Sequence, residues 1–597
     1  MRYFTSFADA RIFAALLLSI ALAQSAWSQS ATWDGETDEK WNTNTNWGSD
    51  TVPGSASGDI ATFSGNATEV SDNTTIDLEG TTQSGGIIFN SSNAASYTIG
   101  ASGIDTLILS VIYDNNGSND ADIVVNSDVV NNQTIAASIA LGDGTGTAGF
   151  ADENRITNNS TSADLLLTGD IAVGTGGTTA NNRANRFWLN GNGNITLSGN
   201  INETATPETD RIDLFVANGG TKTFSGTNTA SSNNYLRTYI RDNGTFTLAS
   251  GADYGTGRIE LRYGTLNIDT ATLQLSNGFL LGSTSQGDGN SFVNIANGST
   301  LVLETNVDYD GDQSAGNNSN ANTATISGGT VQLAGADRLF AIDNNTLVVG
   351  AEVTISSDIT NDGSDRTLIK GNDGTLLLSG TNNYGATSVN NGLLIVAGGN
   401  ALSDTHLVTL NQNGSLGNLQ LNNDERIGSL TGTGNIDLQS NTLTIGDGSS
   451  TTYSGLISGA GGGLVKQGAG NLTLANTGAH SYTGDTTINE GILEIGGSLA
   501  SNITVANGGN IGGEGSTSGN LVFGGTTHTL AIDAATAGAL GTTSTLDVSA
   551  PTTITVDIAN TGVGNISVLE YGSLTGDTTN FVLGANSASA RGGSFID

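Results

Sequence analysis

The chemistry open to this chain is bounded by a small set of residues. His406, His480 and His528 are its only imidazoles, and it has no Cys. That excludes a disulfide framework, a thiolate metal site and a Cys nucleophile. Serines are abundant, yet no Gly-x-Ser-x-Gly nucleophile elbow with ordered partners occurs. Asp404-Thr405-His406 sets an acid near an imidazole, in a tract with the character of a solvated turn. Asp308-Tyr309-Asp310-Gly311-Asp312 begins like a calcium loop. An EF-hand, however, needs Gly at its sixth position and Glu at its twelfth, where Gln313 and Ser319 stand. Asp358, Asp362 and Asp365 share another turn and read as a solvated acidic loop with at most weak affinity for Ca²⁺. Arg183, Arg186, Arg237, Arg241, Arg258 and Arg262 fall within 80 residues. On one face they would meet acidic glycans; otherwise they offset neighbouring acids. No catalytic, cofactor-binding or metal-ligating residue is assigned, no cofactor is implied, and the chain reads as a non-enzyme.

Composition narrows the class further. The chain has 597 residues, 85 of them Gly, with 56 Asp or Glu against 18 Lys or Arg. Gly, Asn, Thr and Ser together make up roughly half of it, far from ordinary globular usage. These residues are poor helix formers, and three of the four prefer turns. A net charge of -38 with four lysines argues against nucleic acid or an anionic membrane surface as partner. With Leu, Ile, Val and Phe near the level typical of disordered chains, the placement of apolar residues has to decide between order and disorder.

That placement is ordered. From about residue 66 onward a Gly or Asn turn is followed by a short strand with apolar residues at alternate positions. Gly264-Thr265-Leu266-Asn267-Ile268, Gly298-Ser299-Thr300-Leu301-Val302-Leu303 and Gly470-Asn471-Leu472-Thr473-Leu474 are examples. A period of two sends one row of side chains inward and the next outward. Such strands are too short to bury an apolar face alone. Parallel coils stacked about 4.8 Å apart bury a continuous column of them. With about 20 to 25 residues per coil, the tract would build roughly twenty coils. The self-similarity is clearest between Leu368-Ile369-Lys370 through Gly392-Leu393-Leu394 and Leu464-Val465-Lys466 through Gly491-Ile492-Leu493.

The two ends differ from the middle. Residues 1–28 have Arg2 and Arg11, an apolar run at 12–22 and small residues after it, the pattern of a secretory signal. That run is too short for a membrane-spanning helix. Trp33, Trp41 and Trp47 are three of the five tryptophans and fall within fifteen residues. They form either a plug over the open end of the coil stack or a stacking platform for sugars.

Leu464, Lys466, Gly468, Gly470, Leu472 and Leu474 fit the pattern Leu-x-Lys-x-Gly-x-Gly-x-Leu-x-Leu. Tyr482, Gly484 and Thr486 follow as Tyr-x-Gly-x-Thr, then Gly491 and Leu493 as Gly-x-Leu. The stretch 452–497 therefore resembles the autotransporter-associated β-strand repeat, also called the passenger-associated transport repeat. A second copy at 368–396 has Asn372 in place of the first Gly and is one residue short after Tyr384. The tract from Trp33 to Phe63 is similar to the Trp-rich opening of many exported proteins with this repeat. The resemblance implies an all-β, right-handed parallel β-helix (β-solenoid) exported to the cell surface or medium. It departs from a complete autotransporter in that residues 545–597 carry too few amphipathic runs for a barrel domain.

The expected organisation is a signal peptide at 1–28, a Trp-rich N-terminal cap at 29–65, a parallel β-helix at 66–545, and a C-terminal β-rich cap or truncated linker at 546–597. The expected function is a secreted or cell-surface structural or adhesion protein, meeting surface polysaccharide or other cell-surface components. The alternatives are a polysaccharide-active β-helix enzyme and a glycan-binding module. An ice-binding module would need Thr-x-Thr arrays on successive coils, which the sequence does not display.

Overall fold

A computed structural model describes residues 30–584, except 49, 55–58, 66–72, 110–120, 142–152, 174–184, 203–211, 229–235, 256, 283–288, 312–320, 412–416, 534–538, 551–552 and 560–566. The signal-like residues 1–28, Arg183, Asp312, Gln313 and Ser319 lie outside the described residues. The chain forms two compact units, Met1–Arg237 and Thr238–Asp597. Each is a parallel β-solenoid, and the described residues contain no α-helix, only the 3-10 turns Asn44–Asn46 and Thr578–Asn580.

In the first unit each coil contributes strands to three parallel sheets. One inward column runs Ala61, Ile87, Ile123, Ile156, Leu189, Val216. A second runs Ile76, Ile99, Ile135, Leu167, Leu197, Phe224. A third runs Leu107, Ile139, Ile171, Ile201. All are fully or almost fully buried apart from solvent, as the alternation of short apolar strands requires. The coils here are longer than expected: the first column steps by 26 to 36 residues.

The second unit repeats the scheme with tighter coils where the repeats lie. Val389, Leu410, Gly432, Tyr453, Leu474, Ile495 and Gly513 stack in steps of 18 to 22 residues. A separate sheet joins Glu425–Ile427, Thr442–Ile445, Gly463–Lys466, Thr486–Ile488, Ile503–Val505 and Leu521–Phe523. Within Asn471–Leu474, Leu472 and Leu474 are buried while Asn471 and Thr473 face outward.

At the start of the first unit, Trp33, Trp41 and Trp47 are each 1% exposed. Trp47 meets Trp33 and Trp41 edge-on, with centroids 5.1 and 4.8 Å apart, and all three rings pack on Phe63. Trp33 Nε1 donates to Asn73 O and Trp47 Nε1 to Trp41 O. These indoles are core, not a sugar platform: no ring face is open.

Candidate binding groove

Three of the four lysines are buried: Lys222, Lys370 and Lys466 are at most 2% exposed. Each occupies an inward column position next to aliphatic or aromatic side chains. Lys466 stands between Ile445 and Ile488, Lys370 between Phe340 and Val389, and Lys222 follows Leu165 and Ile195. The stem continues the apolar column while the ammonium reaches the corner of the coil. There Lys370 Nζ donates to the carbonyls of Gly371 (2.6 Å), Asn372 (2.7 Å) and Asn391 (3.2 Å). Lys466 Nζ does the same to Gln467 (2.5 Å), Gly468 (2.7 Å) and Glu490 (3.2 Å). In both, two acceptors belong to the lysine's own turn and one to the next coil, so the side chain ties coil to coil. Lys222 Nζ reaches Gly191 O of the preceding coil together with Gly219 O and Gly220 O. Burial pulls Lys222 and Lys370 down to about 8 and lowers Lys466 as well.

The remaining repeat positions acquire roles in the same way. Gly468 has φ +71°, and Asn372, which replaces the corresponding Gly, has φ +59°. Asn is among the few side chains that enter this region readily, so the departure from the pattern leaves the corner intact. Tyr482 and Tyr384 are fully buried. Their hydroxyls pair with those of Thr486 (2.7 Å) and Thr387 (3.0 Å), so the copy that is one residue shorter makes the same bond.

On the outer side of the Lys466 corner lies an open groove of about 960 Å³. Its lining comes from the turns that follow successive strands: Gly446, Asp447 and Ser449; Gln467 and Gly468; Asn489 and Glu490; Asn507 and Gly508; with Asp404, Thr405 and Arg426 at one end. Glycine makes the trough, because successive corners approach too closely for a Cβ. One on Gly446 would stand 1.8 Å from Gln467 O, and one on Gly468 2.8 Å from Gly448 N. The groove carries three carboxylates against one guanidinium and no aromatic ring. Asp447 Oδ1 accepts from Ser449 N at 2.7 Å. Behind Arg426, Glu425 is buried and accepts from Ala401 N and Leu402 N; burial pushes it up to about 7, and Asp404 adds to the rise.

The residues singled out from sequence are dispersed. His406 Nδ1 meets Ser403 Oγ at 2.7 Å and Thr405 Oγ1 at 3.2 Å, and its Nε2 is 3.5 Å from Asp365 Oδ1. Asp365 is 75% exposed, so this Ser-His-Asp line lacks the buried acid that orients a catalytic imidazole. His480 accepts from Ile457 N, and burial pulls it down to about 4. His528 Nδ1 bonds Gly509 O, with its ring against Phe523. Asp358 accepts from Thr381 N, and Asp362 pairs with Arg366 and the amides of Gly335 and Ser364. The three acids of that turn are thus used separately, and no metal-ready group of acids or imidazoles occurs among the described residues. Asp308 is exposed on the strand Val307–Tyr309 beside half-buried Asp310.

The arginines resolve within each unit. In the first, Arg186 lies over Phe215, and Arg155 lies over Trp188, which stacks on Phe215 at 4.2 Å. In the second, Arg258 and Arg262 flank Glu260, and Arg241 pairs with Asp242. Offsetting of nearby acids describes this second group.

Sequence reading missed one ladder. In the first unit Thr75, Thr98, Thr134, Thr196 and Thr223 stand in one outward column, interrupted by Leu166. Unequal coil lengths hide this periodicity in the sequence. The column is one residue wide, because the neighbouring row holds Asn132, Asp164 and Asn194, so a Thr-x-Thr array is not formed.

A parallel β-solenoid with lysine-tied corners and a polar groove defines the class. The chain carries two passenger-associated transport repeats, at residues 368–396 and 464–495. It is 34% identical over 218 residues to the adhesin BmaC autotransporter of Brucella suis biovar 1 (strain 1330), covering 34% of this chain and 6% of that protein. It is also 52% identical over 54 residues to an extracellular serine protease of Serratia marcescens, 9% of this chain and 5% of that protein. The chain spans only about a twentieth of the length of these curated relatives. No solved structure matches it. The likeness to autotransporter passengers implies an extracellular or cell-surface location. Among the described residues no helix is long and apolar enough to cross a membrane.

Proposed function

We propose that this chain is a secreted or cell-surface adhesion protein of autotransporter-passenger type that acts without catalysis. The observation that carries the reading is the pair of passenger repeats, together with the likeness of 218 residues of the chain to an autotransporter adhesin. Support comes from the histidines and acids, which serve turns and core, and from the outward faces of the strands, which offer polar contact surface. Residues 1–28 act as the export signal, residues 29–65 cap the coil stack through the buried indoles, and 546–597 close or continue it. The test is attachment. Beads coated with residues 29–597 should bind host or bacterial cell surfaces more than beads coated with an unrelated acidic protein. Equal attachment, or hydrolysis of a polysaccharide abolished by substituting one carboxylate, overturns the reading.

A further inference from the structure

We propose that the groove at the Lys466 corner binds an extended amino-polysaccharide, a glycan with free amino groups, laid across successive coils of the second unit. The proposal rests on the adhesive reading and names its ligand class. Across four consecutive coils the equivalent turn position is held by Asp447, Gly468, Glu490 and Asn507, with Gln467 and Asn489 in the row one residue earlier, so two carboxylates stand two coils apart with a glycine between them. Parallel coils lie about 4.8 Å apart, which sets the two carboxylates roughly 9.6 Å apart along the groove. In an extended β-linked glycan, alternate sugars face the same side, so amino groups recur toward one wall once per disaccharide, near that two-coil spacing. An extended peptide repeats its same-side side chains every two residues, about 6.7 Å, and falls out of step.

The chemistry of the lining points the same way. No aromatic ring is available for stacking on a neutral sugar, so charge and hydrogen bonds must carry recognition. Asp404, Asp447 and Glu490 outweigh Arg426, and the chain as a whole carries a charge of -38. That field attracts polycations and repels acidic glycans. The floor is preformed, because Lys466 fixes the carbonyls of Gln467, Gly468 and Glu490 and no side chain has to be cleared from the glycine trough. Each amino contact is weak alone, and contacts repeated along one chain reinforce each other.

The experiment is calorimetric titration of the purified mature chain with a β1,4-linked glucosamine hexamer, its fully N-acetylated counterpart, and hexalysine. The glucosamine hexamer should bind, weaken as salt rises, and lose about tenfold in affinity with Asp447→Asn and Glu490→Gln combined. Thr473→Ser, outside the groove, should leave binding unchanged, and the unfolding midpoint of the double variant should match that of the parent. Absence of binding, equal affinity for the acetylated hexamer, equal affinity for hexalysine, or indifference to the double variant each overturns the proposal. Beads that attach to cells while the hexamer fails to bind sink this inference alone; beads that fail to attach sink the adhesive reading.

Discussion

Lys370→Met tests whether a buried ammonium holds the coils together. Methionine keeps the apolar stem in the column between Phe340 and Val389 and removes only the donor. Three carbonyls, those of Gly371, Asn372 and Asn391, then lose their partner. A hydrogen bond to a charged group contributes roughly 1.5–3 kcal/mol, so losing three, one buried and two part-buried, costs about 6 kcal/mol. Against this stands the charge itself. Burial pulls Lys370 from 10.5 down to about 8, and each unit of that shift is worth about 1.4 kcal/mol, so removing the ammonium returns about 3.4 kcal/mol at neutral pH. The net expectation is destabilisation of about 3 kcal/mol.

The same shift fixes a pH signature. Between pH 8 and 10.5 the unfolded chain holds a proton that the folded one has released, so the parent gains stability as pH rises through that window. Lys370→Met lacks this gain, and the gap between the two should widen. Urea unfolding followed by circular dichroism gives the midpoints, and hydrogen exchange in peptides spanning 366–396 shows whether the opening is local, as expected for stacked coils. Lys40→Met, at a lysine 46% exposed and paired with Glu79, is the control and should leave the midpoint unchanged. A Lys370→Met protein as stable as the parent at pH 7 would refute the reasoning, because the corner carbonyls would then be satisfied without the ammonium.

Other expectations concern the core, the groove edge and the indole cluster. Leu472→Asp buries an unpaired charge at a site 1% exposed and should cost on the order of 4 kcal/mol in a denaturation series. Thr473→Asp should cost about 1 kcal/mol, because the Thr473 hydroxyl donates to Glu494 and an acid there faces a like charge; Glu494→Gln should relieve it. Glu425 holds its proton in the folded state up to about pH 7 but only to about 4.5 when unfolded. Stability should therefore fall by about 3 kcal/mol as pH rises from 4.5 to 7, and Glu425→Gln should flatten that slope. Trp47→Ala removes a ring packed on Trp33, Trp41 and Phe63, should cost about 3–5 kcal/mol locally, and should expose residues 30–63 to limited proteolysis.

Local periodicity was readable because it is a property of neighbouring residues. The alternation that sends Leu472 inward and Thr473 outward is present in three consecutive letters and survives in the structure. The burial of Trp33, Trp41 and Trp47 decides between the two roles their spacing allowed, an apolar plug and a sugar platform, in favour of core. What could not be read depends on register between coils. The threonine column joins residues separated by 23 to 36 positions, with no constant interval to reveal it. Lys370 and Lys466 looked like motif letters, since charge alone suggests the surface. The one available signal was that both sit two residues after a Leu, where the alternation demands an inward side chain.

The groove and the lysine corner have a common origin. Parallel strands satisfy one another along the ladder, but where the chain turns, carbonyls of adjacent coils converge without amide partners. At the Lys466 corner two devices meet this. Glycine clears the space that close approach of Gln467 O to Gly446 leaves unavailable to a Cβ, and lysine supplies from inside the donors that the backbone cannot. Once both are in place, the outer side of the corner is bare of side chains along several coils, and only the residues flanking the glycines can line what remains. A groove is therefore a consequence of how this repeat closes its corners. Its chemistry is set by the free choice of flanking residues such as Asp447, Gln467, Glu490 and Asn507. Binding preference can diverge among such coils with little effect on their stability, because Gln467 and Glu490 hold the corner through their main-chain carbonyls and leave their side chains free to vary at the groove.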